Sequence, residues 1–205
     1  MKFYRESIYH IYNRGNNKQK IFFEKKNYLF FLQKMRRHLL PHCDLLSWCL
    51  MPNHFHWMVK VRDSYNPEKN TKPSERNSPI VQPLNLSIST LLSSYTKAVN
   101  NMYKRTGSLF QRKTKSKELS PNMKSDDNYP LICFLYIHQN PLRAGLVKNL
   151  GEWKFSSYRD YSGHRGGRLC NKDLTTRLLD LPTDQKTFTQ FSEQTIPDDV
   201  IEKII

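Results

Sequence analysis

The chain has 205 residues, enough for one sizeable domain with appendages. With 33 Lys and Arg against 18 Asp and Glu its formal charge is +15, which favours an anionic partner, nucleic acid before an acidic membrane surface. Scattered Cys43, Cys49, Cys133 and Cys170 exclude a zinc ribbon and a disulfide framework, and neither a signal peptide nor a run of ~18 apolar residues is visible, so a soluble cytoplasmic protein is expected.

In chain order, Ser7 to Arg14 (SIYHIYNR) alternates and is rich in aromatic and β-branched residues, a strand that ends in the turn Gly15-Asn16-Asn17. Glu24 to Leu40 places Tyr28, Phe31, Leu32, Met35 and Leu39 at helical spacing, and Pro41 stops it. Asp44 to Met51 and His54 to Val61 follow as strands joined by a tight Pro52-Asn53 connection. Asp63 to Pro83 is a proline-rich loop without periodicity. Helical spacing returns over Asn85 to Arg105, with Leu86, Ile88, Leu91, Leu92, Tyr95, Val99 and Met102, and Thr106-Gly107 closes it. Leu109 to Leu119 (LFQRKTKSKEL) is expected as a basic strand. Asn128 to Asn140 is expected as a helix that ends before Pro141. Gly163 to Gly167 (GHRGG) is expected as a linker to an acidic, partly helical tail.

The order β-α-β-β-α-β-α predicts an α+β fold of the ferredoxin-like, split-βαβ type: an antiparallel sheet with helices on one face, plus one added helix. Residues 1–162 form the domain and residues 163–205 the linker and tail. Charge is segregated along this order. Lys97 to Lys124 holds eight bases and one acid, whereas Thr175 to Ile205 holds six acids against three bases. Phosphate neutralisation with counterion release would use such a basic segment.

The stretch WCLMPNHFHWMVKV (Trp48 to Val61) carries the chemistry. Strand alternation puts His54, His56, Met58 and Lys60 on one face and Phe55, Trp57, Val59 and Val61 on the other. The second face is the core face, so the histidines are expected on the opposite, polar face with Cβ atoms about 6–7 Å apart. Imidazoles at that spacing can converge on one cation, and equally can be two surface histidines. A metal site needs a further ligand from elsewhere in the fold.

The triplet His54-Phe55-His56 after Met51-Pro52-Asn53 resembles the histidine pair of HUH-type single-tyrosine transposases. YIHQNPLRAGLV (Tyr136 to Val147) resembles the catalytic helix of their REP-associated tyrosine transposase branch. YHIYNRGN (Tyr9 to Asn16) and WKFSSY (Trp153 to Tyr158) agree, so the likeness spans about residues 3–162 in the expected order. Asn140, where insertion-sequence relatives tend to carry Gln, fits the REP-associated branch better. The resemblance implies a metal-assisted enzyme that cleaves and rejoins single-stranded DNA beside hairpins through a 5′-phosphotyrosine. Tyr136 would be the nucleophile, and His54, His56 and Asn140 would hold Mg²⁺ or Mn²⁺. Tyr136 and Asn140, at i and i+4, share a helix face, and His138 faces elsewhere.

Single-stranded or hairpin DNA is the partner so implied. DNA contacts are expected from Arg14, Asn16 and Lys18 and from Lys97, Lys104, Arg105, Arg112, Lys113, Lys115 and Lys117, with Tyr12 or Phe110 stacking on unpaired bases. A domesticated hairpin-binding regulator and a hydrolytic nuclease are the rival readings. Monomer and homodimer are both open.

Overall fold

The computed structural model describes residues 1–62, 83–119 and 128–205. Strands β1 (Ile8–Arg14), β2 (Cys43–Met51), β3 (His54–Val61) and β4 (Lys115–Glu118) form one antiparallel sheet in the order β2-β3-β1-β4. Helix α1 (Lys25–His38) links β1 to β2, and α2 (Pro83–Met102) precedes β4. This is the expected split-βαβ sandwich. The proline-rich stretch lies outside the described residues, except for Pro83, which opens α2. Leu109 to Leu119 is a strand only over its last third. Leu109 and Phe110 are instead buried in the core, so the chain there follows their packing before it joins β1.

The β1 turn has a physical origin. A Cβ on Gly15 would stand 2.1 Å from the Gln19 carbonyl oxygen, so only glycine allows that approach. Helix α1 buries Tyr28, Phe31 and Met35 on the sheet, and α2 buries Ile88, Leu91, Tyr95 and Val99 beside them. Phe31 is the hub, with ring centroids 4.8 Å from Tyr95, 5.6 Å from Phe55 and 5.8 Å from Trp57. Each such fully buried aromatic contributes about 2–3 kcal/mol of transfer free energy.

A register shift between Leu45 and Ser47 inserts Leu46 as an extra residue in β2. The bulge reverses parity. Cys43 and Leu45 point to the α1/α2 core before it, Trp48 and Leu50 after it, while Leu46, Cys49 and Met51 point the other way.

That other face is not the polar surface the sequence suggests. Helix α3 (Tyr129–Arg143) lies across it, and Cys133, Phe134 and Ile137 pack on Leu46, Cys49 and Met58 in a second core. Helix α3 also does not end at Asn140. Pro141 removes the bond to the Ile137 carbonyl and crowds it, but only one turn of helix follows, and the bonds of that turn are kept. The Asn140 carbonyl accepts from Ala144 N–H at 3.0 Å, the Pro141 carbonyl from Leu146 N–H at 3.0 Å, and Gly145 in the left-handed region (φ 67°) closes the helix.

After α4 (Tyr158–Tyr161), the GHRGG stretch is tied down. Arg165 forks onto Asp160, a carboxylate with a side chain 1% exposed, and Gly167 N–H donates to the same carboxylate at 3.2 Å. Helices α5 (Lys172–Leu179), α6 (Gln185–Ser192) and α7 (Asp198–Glu202) then feed Leu179, Phe188 and Ile201 into the second core, and Ile204 joins them from the turn after α7. Gln139 of α3 anchors them, donating to the carbonyls of Ser192 (2.9 Å) and Gln194 (2.7 Å). Among the described residues no helix is long and apolar enough to cross a membrane.

Candidate metal and nucleophile site

Strand β3 delivers His54 and His56 to the face covered by α3, and α3 delivers Tyr136 and Asn140 from one side of its cylinder. The four converge. His54 Nε2 lies 3.1 Å from Asn140 Oδ1, and Asn140 Nδ2 lies 3.4 Å from His56 Nε2. The Tyr136 ring stands edge-on to His56 with centroids 5.5 Å apart. A cleft of about 470 Å³ opens on His54, His56 and Tyr136, bordered by Tyr12, Arg14, Gln111, Lys113, Lys115 and Ile205, while Asn140 is buried against the two histidines.

Burial sets the electrostatics. His56 is buried and its pKa is held well below the usual imidazole value, first by desolvation and then by His10, His54 and Arg14. His54 is lowered by burial and by Arg14, with its Asn140 contact opposing. Both rings are therefore neutral at pH 7, the state a metal requires. Burial raises the Tyr136 phenol above its ordinary value, while the Asn140 hydrogen bond and the Arg143 and Arg14 charges pull it back.

The His54 tautomer follows from its neighbours. Asn53 Nδ2 donates to the Lys18 carbonyl at 3.3 Å, which turns Asn53 Oδ1 toward His54 Nδ1 at 2.6 Å. An amide oxygen only accepts, so Nδ1 carries the proton and Nε2 faces Asn140 Oδ1 as a lone pair. Two acceptors face each other at 3.1 Å. A cation drawn between them relieves that repulsion, so the donor set fits a divalent ion. Among the described residues no group of three His, Cys, Asp or Glu gathers as a metal site. The candidate set is two imidazoles and a carboxamide, leaving positions for water and phosphate oxygen, which suits Mg²⁺ or, with its tolerance of imidazole, Mn²⁺.

The remaining expected residues divide by position. Arg14, Lys113 and Lys115 border the cleft, and Lys115 Nζ sits 5.5 Å from the Tyr12 ring centroid. Lys97, Arg105 and Arg112 line a neighbouring groove of about 730 Å³ between α2 and residues 105–114, which meets the cleft at Asn13 and Gln111. Asn16, Lys18, Lys104 and Lys117 line neither. Phe110 is 5% exposed beneath the sheet and cannot stack on a base, whereas half-buried Tyr12 remains at the cleft wall. Because α3 continues past Asn140, that residue's carbonyl is occupied by the helix and is no cation ligand; only its side chain is available. His138 points away and bonds Ser157 Oγ at 2.8 Å.

The sequence reading missed His10. Its Nε2 lies 2.8 Å from His56 Nδ1 and its Nδ1 2.7 Å from the Ile204 carbonyl oxygen. Its place on the same β1 face as Tyr12 was legible; its pairing with His56 depends on the β1–β3 register, which the sequence does not specify.

No protein-family model matches the chain, and no curated protein matches it. Among solved structures it is similar to a REP-associated tyrosine transposase bound to a REP hairpin, with a TM-score of 0.52 and 17% identity over 96% of each chain. At that identity the likeness speaks for architecture. The chain shares the fold of a REP-associated tyrosine transposase.

Proposed function

We propose that the protein is a tyrosine transposase-type strand transferase acting on single-stranded DNA beside a hairpin. The observation that carries this reading is the meeting of His54 and His56 with Tyr136 in one cleft edged by Arg14, Lys113 and Lys115, with Asn140 against both imidazoles. The solved structure of similar fold holds a REP hairpin, which supports hairpin DNA as the partner here.

In the proposed reaction Tyr136 Oη attacks a backbone phosphorus. The Tyr–O–P bond forms as the P–O3′ bond breaks, and the net proton passes from the phenol to the departing 3′-hydroxyl. A 5′-phosphotyrosine remains, and because the ester keeps the bond energy, another 3′-hydroxyl can attack it and reseal the strand without ATP. An unperturbed phenol, with a pKa near 10, is ionised about one part in a thousand at pH 7, a handicap of about 4 kcal/mol, and burial of Tyr136 enlarges it. A divalent ion held by His54, His56 and Asn140 would supply charge neutralisation on the phosphate oxygens. Arg14, Lys113 and Lys115 hold the flanking phosphates, and Tyr12 offers a face for an unpaired base.

Tyr136→Phe removes one oxygen and leaves the packing intact. Incubated with Mn²⁺ and a hairpin-flanked single strand, the wild-type protein should form a covalent protein–DNA adduct and the variant none, while both bind the oligonucleotide. Undiminished adduct in the variant removes Tyr136 from the mechanism.

A further inference from the structure

We infer that His10 is a positioning residue: it passes the demand of the Ile204 carbonyl through its own ring to His56, so that His56 turns an Nε2 lone pair into the cleft. The inference rests on the metal reading above for its consequence, but its structural part stands without metal.

The chain of donors and acceptors permits one proton arrangement for neutral rings. A backbone carbonyl oxygen only accepts, so His10 Nδ1, 2.7 Å from Ile204 O, carries the proton. His10 Nε2 is then a lone pair, and His56 Nδ1, 2.8 Å away, must donate to it. His56 Nε2 is left unprotonated beside Asn140. His10 is fully buried, so water cannot replace either bond, and the two rings meet edge to edge and nearly coplanar, 5.0 Å between centroids with a 23° interplanar angle, the orientation an in-plane N–H···N bond requires. A metal-bound imidazole that donates its other N–H to a buried acceptor is held in the ligating tautomer, and loss of such a partner typically costs about 10–100-fold in metal affinity.

The two tautomer devices have separate sources. Asn53, locked by Lys18, sets His54 from within the β2–β3 connection. His56 is set from the segment after α7, which approaches β1 only because Ile201 and Ile204 are buried in the second core. Docking of the last helix and preparation of the candidate metal site are thereby one event. This gives residues 168–205 a role that their acidic composition did not suggest.

Two substitutions separate positioning from mere packing. His10→Leu fills similar space and removes both bonds. His10→Gln keeps one donor and one acceptor, spaced much as the two ring nitrogens are, and should restore the relay. Imidazole ¹⁵N shifts, recorded without metal at a pH where the rings are neutral, report the His56 tautomer directly. The wild type and His10→Gln should show the proton on Nδ1, and His10→Leu a mixture or the Nε2–H form. Mn²⁺ titration followed by electron paramagnetic resonance should then show Kd raised about 10–100-fold in His10→Leu and near the wild-type value in His10→Gln. A wild-type His56 protonated on Nε2, or a His10→Leu protein whose tautomer and Mn²⁺ affinity match wild type, overturns the inference. The tautomer readout decides the relay even if the wild type binds no Mn²⁺, an outcome that would overturn the metal reading alone.

Discussion

His138 offers a quantitative test of the buried face, because it titrates apart from the cleft. It is 1% exposed and among the described residues hydrogen-bonded only to Ser157 Oγ, and burial lowers its pKa from 6.5 to about 3. The unfolded chain takes up that proton near pH 6.5 while the folded chain refuses it, so the unfolded state binds more protons and stability falls as pH falls. The sign is that of a depressed folded pKa. Stability is fully present above pH 6.5 and declines at about 1.4 kcal/mol per pH unit below it, reaching a loss of about 3 kcal/mol at pH 4.5 from this residue alone. That is a large share of a typical ~5–15 kcal/mol domain stability. His10, depressed to about 4 by burial, acts in the same direction. The assay is urea denaturation across this range, with EDTA present because release of bound metal on protonation would add its own slope. His138→Gln retains a partner for Ser157 and cannot titrate. Its stability curve should be shallower than wild type by one proton's worth, ending about 3 kcal/mol closer to wild type at pH 4.5 than at neutral pH. Parallel curves would refute the assignment of His138 as a neutral, inaccessible ring.

Three further outcomes follow from other contacts. Gly167→Ala would put a Cβ 2.3 Å from Asp160 Oδ1, forcing the buried carboxylate off Arg165, and a loss of about 3 kcal/mol in urea unfolding is expected. Lys113→Gln and Lys115→Gln should each weaken single-strand binding evenly across sequences and reduce the slope of log K against log[salt] by about 0.7, read from a salt titration by fluorescence anisotropy. Mn²⁺ at about 100-fold over its Kd should raise the unfolding free energy by about 2.7 kcal/mol, measured by thermal shift, and Asn140→Ala should remove most of that gain.

The ferredoxin-like core was legible because each of its elements carries its own period. β1 and β3 alternate, α1 and α2 repeat at helical spacing, and tight turns at Gly15 and Pro52-Asn53 punctuate them. The face of the sheet was misjudged because β3 was read alone. His54, His56 and Lys60 make one side of β3 look wet. β2 held the counter-signal: Leu45, Leu46, Trp48, Cys49, Leu50 and Met51 are apolar without alternation, the mark of a strand covered on both faces. The bulge at Leu46 hid it further, since it breaks any count of parity. Pro141 misled in the opposite way, a reliable helix stop that the last turn of α3 absorbs. His10 and the cradle around Asp160 depend on contacts 194 and 5 residues apart in sequence, and only the first lies beyond local reasoning.

Strand β3 explains why the candidate site sits where it does. Its odd residues, Phe55, Trp57, Val59 and Val61, bind the sheet to α1 and α2, while His54 and His56 between them reach across to α3. His56 sits between two neighbours locked in the core, Phe55 and Trp57, and His54 directly precedes Phe55, so the separation of the two imidazoles is set by the pleat of β3. Asn140 and Tyr136 are fixed relative to each other by one helical turn. The single adjustable quantity is the distance between β3 and α3. That distance is set by Met58 and Cys49 packing on Cys133 and Ile137, and by the helices that Gln139 anchors behind α3. An ion bridging His54 and His56 to Asn140 would cross-link these two elements directly, so metal and second core should stabilise each other. Cavities made in the second core, as by Ile137→Ala, should therefore weaken Mn²⁺ binding without touching a ligand, whereas equal cavities beside Val99 in the α1/α2 core should not.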